Sequence, residues 1–215
     1  MRRTRPVSTN DQCVIRMKRR ILLGTANQAK ISRFRAYLAT LPIEILSPGD
    51  LGIATDVEED GKTPQENAEI KARAYFAESN IPTLAVDASL YIERFPNEKQ
   101  PGVFVRRIRG TGEAVSDEEI LGYYARELDR VGGETVGKWK VAIALVTLDG
   151  KVFSHTFDLQ ARFTSTRSAA LKAGEPLSSL MTDPTTGKYY SELADEERPD
   201  SRWIREFVSE HLEEL

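Results

Sequence analysis

Thr25, Asn27 and Lys30 stand where an apolar run, Ile21 to Leu23, breaks at Gly24 and gives way to a helical pattern. Thr25 and Asn27 can cap the start of that helix and leave backbone N–H groups pointing outward. Lys30 falls in the first turn, beside those donors and the positive end of the helix dipole, a geometry that suits a polyphosphate. The same residues also suit a plain capped helix with Lys30 in water. Further on, Val57-Glu58-Glu59-Asp60-Gly61 is a dense carboxylate loop, and Asp87 follows a short apolar run from Pro82 to Val86. That run reads as a strand whose C-terminal end delivers Asp87, and open α/β sheets gather ligands at strand C-termini. One or two carboxylates plus substrate phosphates is the usual way to hold Mg2+ for phosphoryl chemistry. A further carboxylate could orient or deprotonate a water for in-line attack on phosphorus, while Lys30 and Lys71 neutralise charge on the phosphate oxygens. Each group has a plainer reading too. The acidic run suits a solvated loop, Glu66 suits the capping partner of Thr63, and Lys71 suits an exposed helix face.

The elements that must position these groups read as follows. Ala29 to Leu41 is an amphipathic helix stopped by Pro42, and Ile43 to Leu46 is a second strand. Thr63-Pro64-Gln65-Glu66 is a capping box with proline at the first helical position, opening a helix that runs to Asn80. Ser116 to Glu119 is a second capping box, for a helix through Leu128. Trp139 to Thr147 and Lys151 to Phe163 form a β-hairpin about Asp149-Gly150. His155 shares a face with Phe153 and Phe157 and reads as a packed sheet residue, whereas His211, between polar neighbours, reads as exposed. Residues 164–198 are loop-rich, and a last helix begins near Asp200.

Composition narrows the classes. A net charge of -3 gives no global basic field for nucleic acid, and there is no apolar run of about 18 residues to span a membrane. The single cysteine, Cys13, rules out an internal disulfide and fits a reducing, cytoplasmic compartment. Two histidines and one cysteine leave no soft-metal cluster, so any metal is hard and oxygen-bound. Residues 1–17 carry Arg2, Arg3 and Arg5, show no apolar h-region of a signal peptide, and are expected to be a disordered basic extension. A nucleic-acid-binding role for that arm is a minor alternative. Residues 18–215 are expected to form one two-lobed domain.

Five ordered motifs at consistent spacing resemble the inosine triphosphate pyrophosphatase family, whose members clear non-standard purine nucleoside triphosphates. The family's Thr-Gly-Asn-x-x-Lys stands here as Thr25-Ala26-Asn27-Gln28-Ala29-Lys30. Its Glu-Glu-x-Gly loop is Glu58-Glu59-Asp60-Gly61, and its Glu-Asn-Ala-x-x-Lys-Ala helix is Glu66 to Ala72. Its Ala-Asp-Asp-Ser-Gly-Leu appears as Ala85-Val86-Asp87-Ala88-Ser89-Leu90, and Pro-Gly-Val-Tyr-x-x-Arg as Pro101 to Arg107. The resemblance implies an α/β fold, a twisted mixed sheet in two lobes flanked by helices with a central nucleotide cleft, usually in a homodimer. It implies Mg2+-dependent attack of water at the α-phosphorus, releasing a nucleoside monophosphate and pyrophosphate. By position, Thr25, Asn27, Lys30 and Lys71 hold phosphates, Glu59 and Asp87 bind the metal, and Asp87 with Lys71 carries catalysis. Ala88 and Ser89 fall at substrate-binding positions of these motifs. So do Asp183, in the remnant of a later Asp-Pro segment, and Arg198, where Glu192 to Arg198 resembles the family's Glu-Leu-x-x-Glu-Glu-Lys with arginine for lysine.

Departures from the pattern are informative. Val86 replaces the first motif aspartate, and Ala88-Ser89 replaces Ser-Gly. The base-packing Gly-Phe-Gly-Tyr-Asp-Pro segment survives only as Asp183-Pro184, and the purine-reading Ser-His-Arg only as Ser201-Arg202-Trp203. The triphosphate half of the pattern is kept and the base-reading half is rewritten, with Tyr189 or Tyr190 available as a substitute stacking surface. Val86 and Ala88 also leave open a nucleotide-binding or regulatory protein of the same fold without turnover.

Overall fold

The structure, a computed structural model, describes residues 18–55, 57–108 and 115–215; the expected N-terminal extension lies outside them. Six strands form one sheet in the order β2-β1-β3-β4-β5-β6, with strands β1 (Arg19–Leu23), β2 (Ile43–Leu46), β3 (Thr83–Ile92), β4 (Glu134–Val146), β5 (Val152–Thr164) and β6 (Met181–Thr182). Helix α1 (Gln28–Leu38) connects β1 to its parallel neighbour β2, and α2 (Pro64–Ser79) leads into β3. β3 runs parallel to β1 for only two residue pairs, Leu22 with Thr83 and Leu23 with Leu84, but pairs antiparallel with β4 along its whole length. The sheet is therefore mixed, as expected, and α/β.

β3 corrects one expectation. It does not stop at Val86 to present Asp87 from its end; Asp87 sits in the middle of a ten-residue strand. The alternation explains why: Leu84, Val86, Ala88, Leu90 and Ile92 share one face, while Ala85, Asp87 and Ser89 share the other. A polar stretch that reads as a terminus is a strand with a polar back face. The opening beside Asp87 comes instead from β1, which ends at Leu23 and leaves β3 without a partner on that side from Ala85 until Leu90 bridges to Gly102. The hairpin likewise begins earlier than its apolar residues suggest, at Glu134, and α1 ends at Leu38 rather than Leu41.

The two sheet faces are packed by different means. On the Asp87 face, small residues let α2 lie close, with Ala68 and Ala72 against Ala85, Ala142 and Ala144. On the opposite face, α1 and α4 (Pro199–Glu210) cover Leu84, Val86 and Ile143 with Phe34, Tyr37, Ile204 and Phe207. Farther along that face, α3 (Asp117–Arg130) covers Leu90, Ile92 and Phe163 with Ile120, Tyr124 and Leu128. Trp139 packs against both cores, and the cleft opens between them. Gly137 is dictated by this packing, because a Cβ there would run into the ring of Phe163. The histidines differ in part from expectation. His155 is exposed with its ring 4.6 Å from Phe157, and His211 is half-buried between Phe153 and Phe207 at 4.3 and 4.7 Å.

Candidate active site

The cleft has a volume of about 940 Å3, ample for a nucleotide, and one end of it is built from three short segments. At the start of α1, Asn27 Oδ1 accepts from the Lys30 N–H at 3.2 Å and Thr25 Oγ1 accepts from the Asn27 N–H at 3.2 Å. Lys30 extends from this first turn into the cleft. Its withdrawal from water, with Lys71 close by, lowers its pKa to about 8, against the opposing pull of Asp87 and Glu59. An amine this poorly compensated gains most from an arriving polyanion.

Helix α2 starts as the sequence predicts, with Thr63 Oγ1 accepting from the Glu66 N–H at 3.2 Å and Glu66 closing back on the Thr63 N–H. That fixes the angle at which Lys71 meets the sheet. Lys71 is buried, 7% exposed, and not on a solvated face. Its Nζ lies 2.9 Å from Asp87 Oδ1, 3.3 Å from the Val86 carbonyl and 3.3 Å from Glu59 Oε2. One turn earlier, Asn67 Nδ2 donates to Asp87 Oδ2 at 3.2 Å while its Oδ1 accepts from the Gly61 N–H at 2.8 Å. Asn67 thus ties the carboxylate loop to Asp87. Gly61 is needed there, since a Cβ would sit 2.5 Å from Asn67 Oδ1. Both oxygens of Asp87 are held, and Val86, where the motif has an aspartate, is buried in the apolar core.

The other end of the cleft is built by long-range contacts. Glu175 is paired by the Arg33 guanidinium from α1 and by Arg198 Nη1 at 2.8 Å. Arg198 also donates to the Tyr190 carbonyl at 3.3 Å, and Asp200 accepts from the Tyr37 hydroxyl at 2.9 Å. Burial and the Asp200 charge push the Tyr37 hydroxyl far above its ordinary pKa, so it remains a donor.

Asn27, Lys30, Glu59, Lys71, Asp87, Ala88 and Arg198 all line the cleft, as the motifs imply. Three further residues are not brought to it. Thr25 uses its hydroxyl on the Asn27 N–H. Ser89 lies wholly buried on the α2 face, two residues along from Asp87, while Ala88 takes the cleft side. Asp183 lines a separate surface depression with Tyr189. Its carboxylate accepts from the Thr186 hydroxyl at 2.7 Å and from the Thr185 and Thr186 N–H groups at 3.3 and 3.0 Å, and these bonds, the hydroxyl first, hold its pKa down despite its burial. Asn67, Arg33 and Glu175 were not singled out from sequence. Asn67 had a signal, lying four residues before Lys71 on one helix face, and Arg33 lies one turn past Lys30. Glu175 sits in a loop-rich tract with no local pattern.

Among the described residues, no group of three or more His, Cys, Asp and Glu side chains is arranged to hold a metal. The donor chemistry at Glu59 and Asp87 is that of a partial site: two carboxylates with the Lys71 ammonium within ion-pair reach of both. Two carboxylates completed by substrate phosphates is a set that Mg2+ accepts.

Known proteins are similar to this chain in sequence and in fold. A dITP/XTP pyrophosphatase of Leptospira interrogans is 39% identical over 94 residues, 44% of this chain and 47% of the relative. The chain therefore spans about half the length of that relative. A dITP/XTP pyrophosphatase of Geobacter sulfurreducens is 33% identical over 141 residues, 65% of this chain and 69% of the relative. The solved structure of a HAM1 protein from Coxiella burnetii superposes with a TM-score of 0.69 at 20% identity, covering 89% of this chain and 99% of that one, which shows the shared fold. The family model described as the Ham1 family matches residues 21–172. The grouping read from the five motifs holds, and this chain belongs to the Ham1 family.

Proposed function

We infer that this protein hydrolyses a nucleoside triphosphate, of the non-standard purine class typified by ITP, XTP and their deoxy forms, to a nucleoside monophosphate and pyrophosphate. The observation that carries the reading is the fixed Asp87 carboxylate, held by Lys71 and Asn67 beside the capped start of α1 in one nucleotide-sized cleft. The free N–H groups of α1, Asn27 and Lys30 bind phosphate oxygens. Asp87 accepts a proton from the water that attacks the α-phosphorus, its orientation set by Asn67 and Lys71. Lys71 exchanges part of its interaction with Glu59 and Asp87 for the charge that builds on phosphate oxygens during attack. Glu59 and Asp87 would hold Mg2+, which when bound neutralises phosphate charge and polarises the phosphorus centre. Arg198 and Glu175 place a donor and an acceptor side by side for the edge of the base. A homodimer in the cytoplasm completes the proposal, the first on family habit and the second on the lone Cys13.

A panel of ITP, XTP, their deoxy forms and the standard triphosphates, with Mg2+ and ion-chromatographic separation of products, tests this. Monophosphate plus pyrophosphate from any member supports the reading; diphosphate plus phosphate contradicts it. One observation favours a second reading: Val86 turns the first motif carboxylate into a core methyl pair, which leaves fewer metal ligands. Tight nucleotide binding with no turnover anywhere in the panel would establish a nucleotide-binding protein instead.

A further inference from the structure

Tyr91, Phe104, Val136, Leu148 and Leu171 are the large apolar side chains left exposed among the described residues, and of these Phe104 alone lines the cleft. A scattered exposed apolar residue is ordinary. Phe104, 50% exposed, is instead presented rigidly inside a ligand-sized cleft. Leu90 and Gly102 exchange backbone hydrogen bonds at 2.9 and 3.0 Å, with Gly102 at a φ of 55° that favours glycine. The Phe104 N–H donates to the Pro101 carbonyl at 3.0 Å and the Arg107 N–H to the Phe104 carbonyl at 2.8 Å, closing two successive turns. The Tyr124 hydroxyl donates to the Val105 carbonyl at 3.0 Å. Arg106 bonds Asp117 at 2.8 Å and reaches the Gly174 carbonyl at 3.5 Å, next to Glu175 on the other lip. The Arg107 guanidinium lies 4.8 Å from the Phe104 ring centroid, so a cation backs the ring.

The other aromatic groups near the cleft are already committed. Trp139 packs against both cores and aims its indole N–H at Met181 Sδ, 3.3 Å away. Tyr190 and Phe34 are buried. Tyr189, considered from sequence as a stacking surface, lies in the outer depression with its hydroxyl on the Thr166 carbonyl. Phe104 is the aromatic surface left open to a planar ligand.

We propose that Phe104, backed by Arg107, is the stacking platform for the nucleobase and makes this site select nucleotides over base-free polyphosphates. The proposal rests on the triphosphate reading above. Stacking on an aromatic ring tolerates any base, because every base has a π-face. Phe104 therefore supplies affinity common to all nucleotides, and discrimination between bases falls to edge contacts at Arg198 and Glu175.

Equilibrium titration of the full chain, wild type and Phe104→Ala, with α,β-methylene analogues of inosine, adenosine and cytidine triphosphates tests this, with inorganic tripolyphosphate as the base-free probe. Phe104→Ala is expected to weaken every nucleotide that wild type binds by roughly tenfold and to leave tripolyphosphate unchanged. Phe104→Trp is expected to restore nucleotide affinity and to show indole quenching on binding. Wild-type binding with no loss in Phe104→Ala would overturn the platform alone. Equal losses for nucleotide and tripolyphosphate would make Phe104 a structural residue and also overturn it. A wild type that binds no nucleotide would fail the triphosphate reading itself.

Discussion

The two ends of the cleft are assembled on different length scales. The end proposed to hold phosphates comes from three segments, each organised by its own neighbours: the Asn27 cap, the Thr63–Glu66 capping box and the alternation of β3. The opposite end is held by pairs far apart in the chain, Arg33 with Glu175, Tyr37 with Asp200, and Arg106 with Gly174. Local construction ties each residue to a fixed spacing, so substitutions there break geometry. Long-range construction lets partners be exchanged while the backbone path persists, so one end of the cleft can depart from the family pattern while the other keeps it.

The largest effect expected at the phosphate end is on chemistry. Asp87→Asn should lower kcat by roughly 10^2 to 10^4 while nucleotide affinity stays within a few-fold, measured by single-turnover kinetics beside equilibrium titration. A comparable loss in affinity would mean that Asp87 serves binding instead. Lys71→Met removes the cation from a buried carboxylate and should cost about 3–5 kcal/mol of stability in urea unfolding. At the other end, Glu175→Ala leaves the Arg33 and Arg198 guanidiniums without their shared anion and should cost about 3 kcal/mol. Its kcat with the best substrate should fall far less than that of Asp87→Asn.

A pH series sharpens the contrast further. Lys30 has a folded pKa of about 8 against an ordinary 10.5, so the unfolded chain binds more protons between those values. The stability penalty from Lys30 is thus fully present below pH 8 and is relieved as pH rises toward 10.5. Polyphosphate binding runs the other way, because it needs the charged amine. Inhibition by tripolyphosphate should weaken above pH 8 in wild type and lose that step in Lys30→Met. The smallest effect belongs to Asp183→Ala, which should cost about 1 kcal/mol from lost turn hydrogen bonds and leave KM and kcat within twofold.

Legibility in sequence followed the same division. The capping boxes, the order of strands and helices, and the set Asn27, Lys30, Glu59, Lys71 and Asp87 were readable because spacing encodes local geometry. Asp87 was placed at a strand end because Asp87-Ala88-Ser89 interrupts an apolar run, whereas burial of that face by α2 makes polar residues tolerable in mid-strand. Asp183 was drawn to the cleft by motif position, but its turn holds the carboxylate elsewhere. Glu175 takes its meaning from Arg33, far away in the chain, and no window of sequence contains both members. Phe104 stands inside the Pro101 to Arg107 motif, but its exposure within the cleft depends on how the chain packs.

The most direct test of the account is hydrolysis of the best panel substrate in water enriched in 18O, with mass analysis of both products. Attack at the α-phosphorus, assisted by Asp87, predicts label in the nucleoside monophosphate and none in pyrophosphate. Label in pyrophosphate, or release of unlabelled monophosphate, would contradict it.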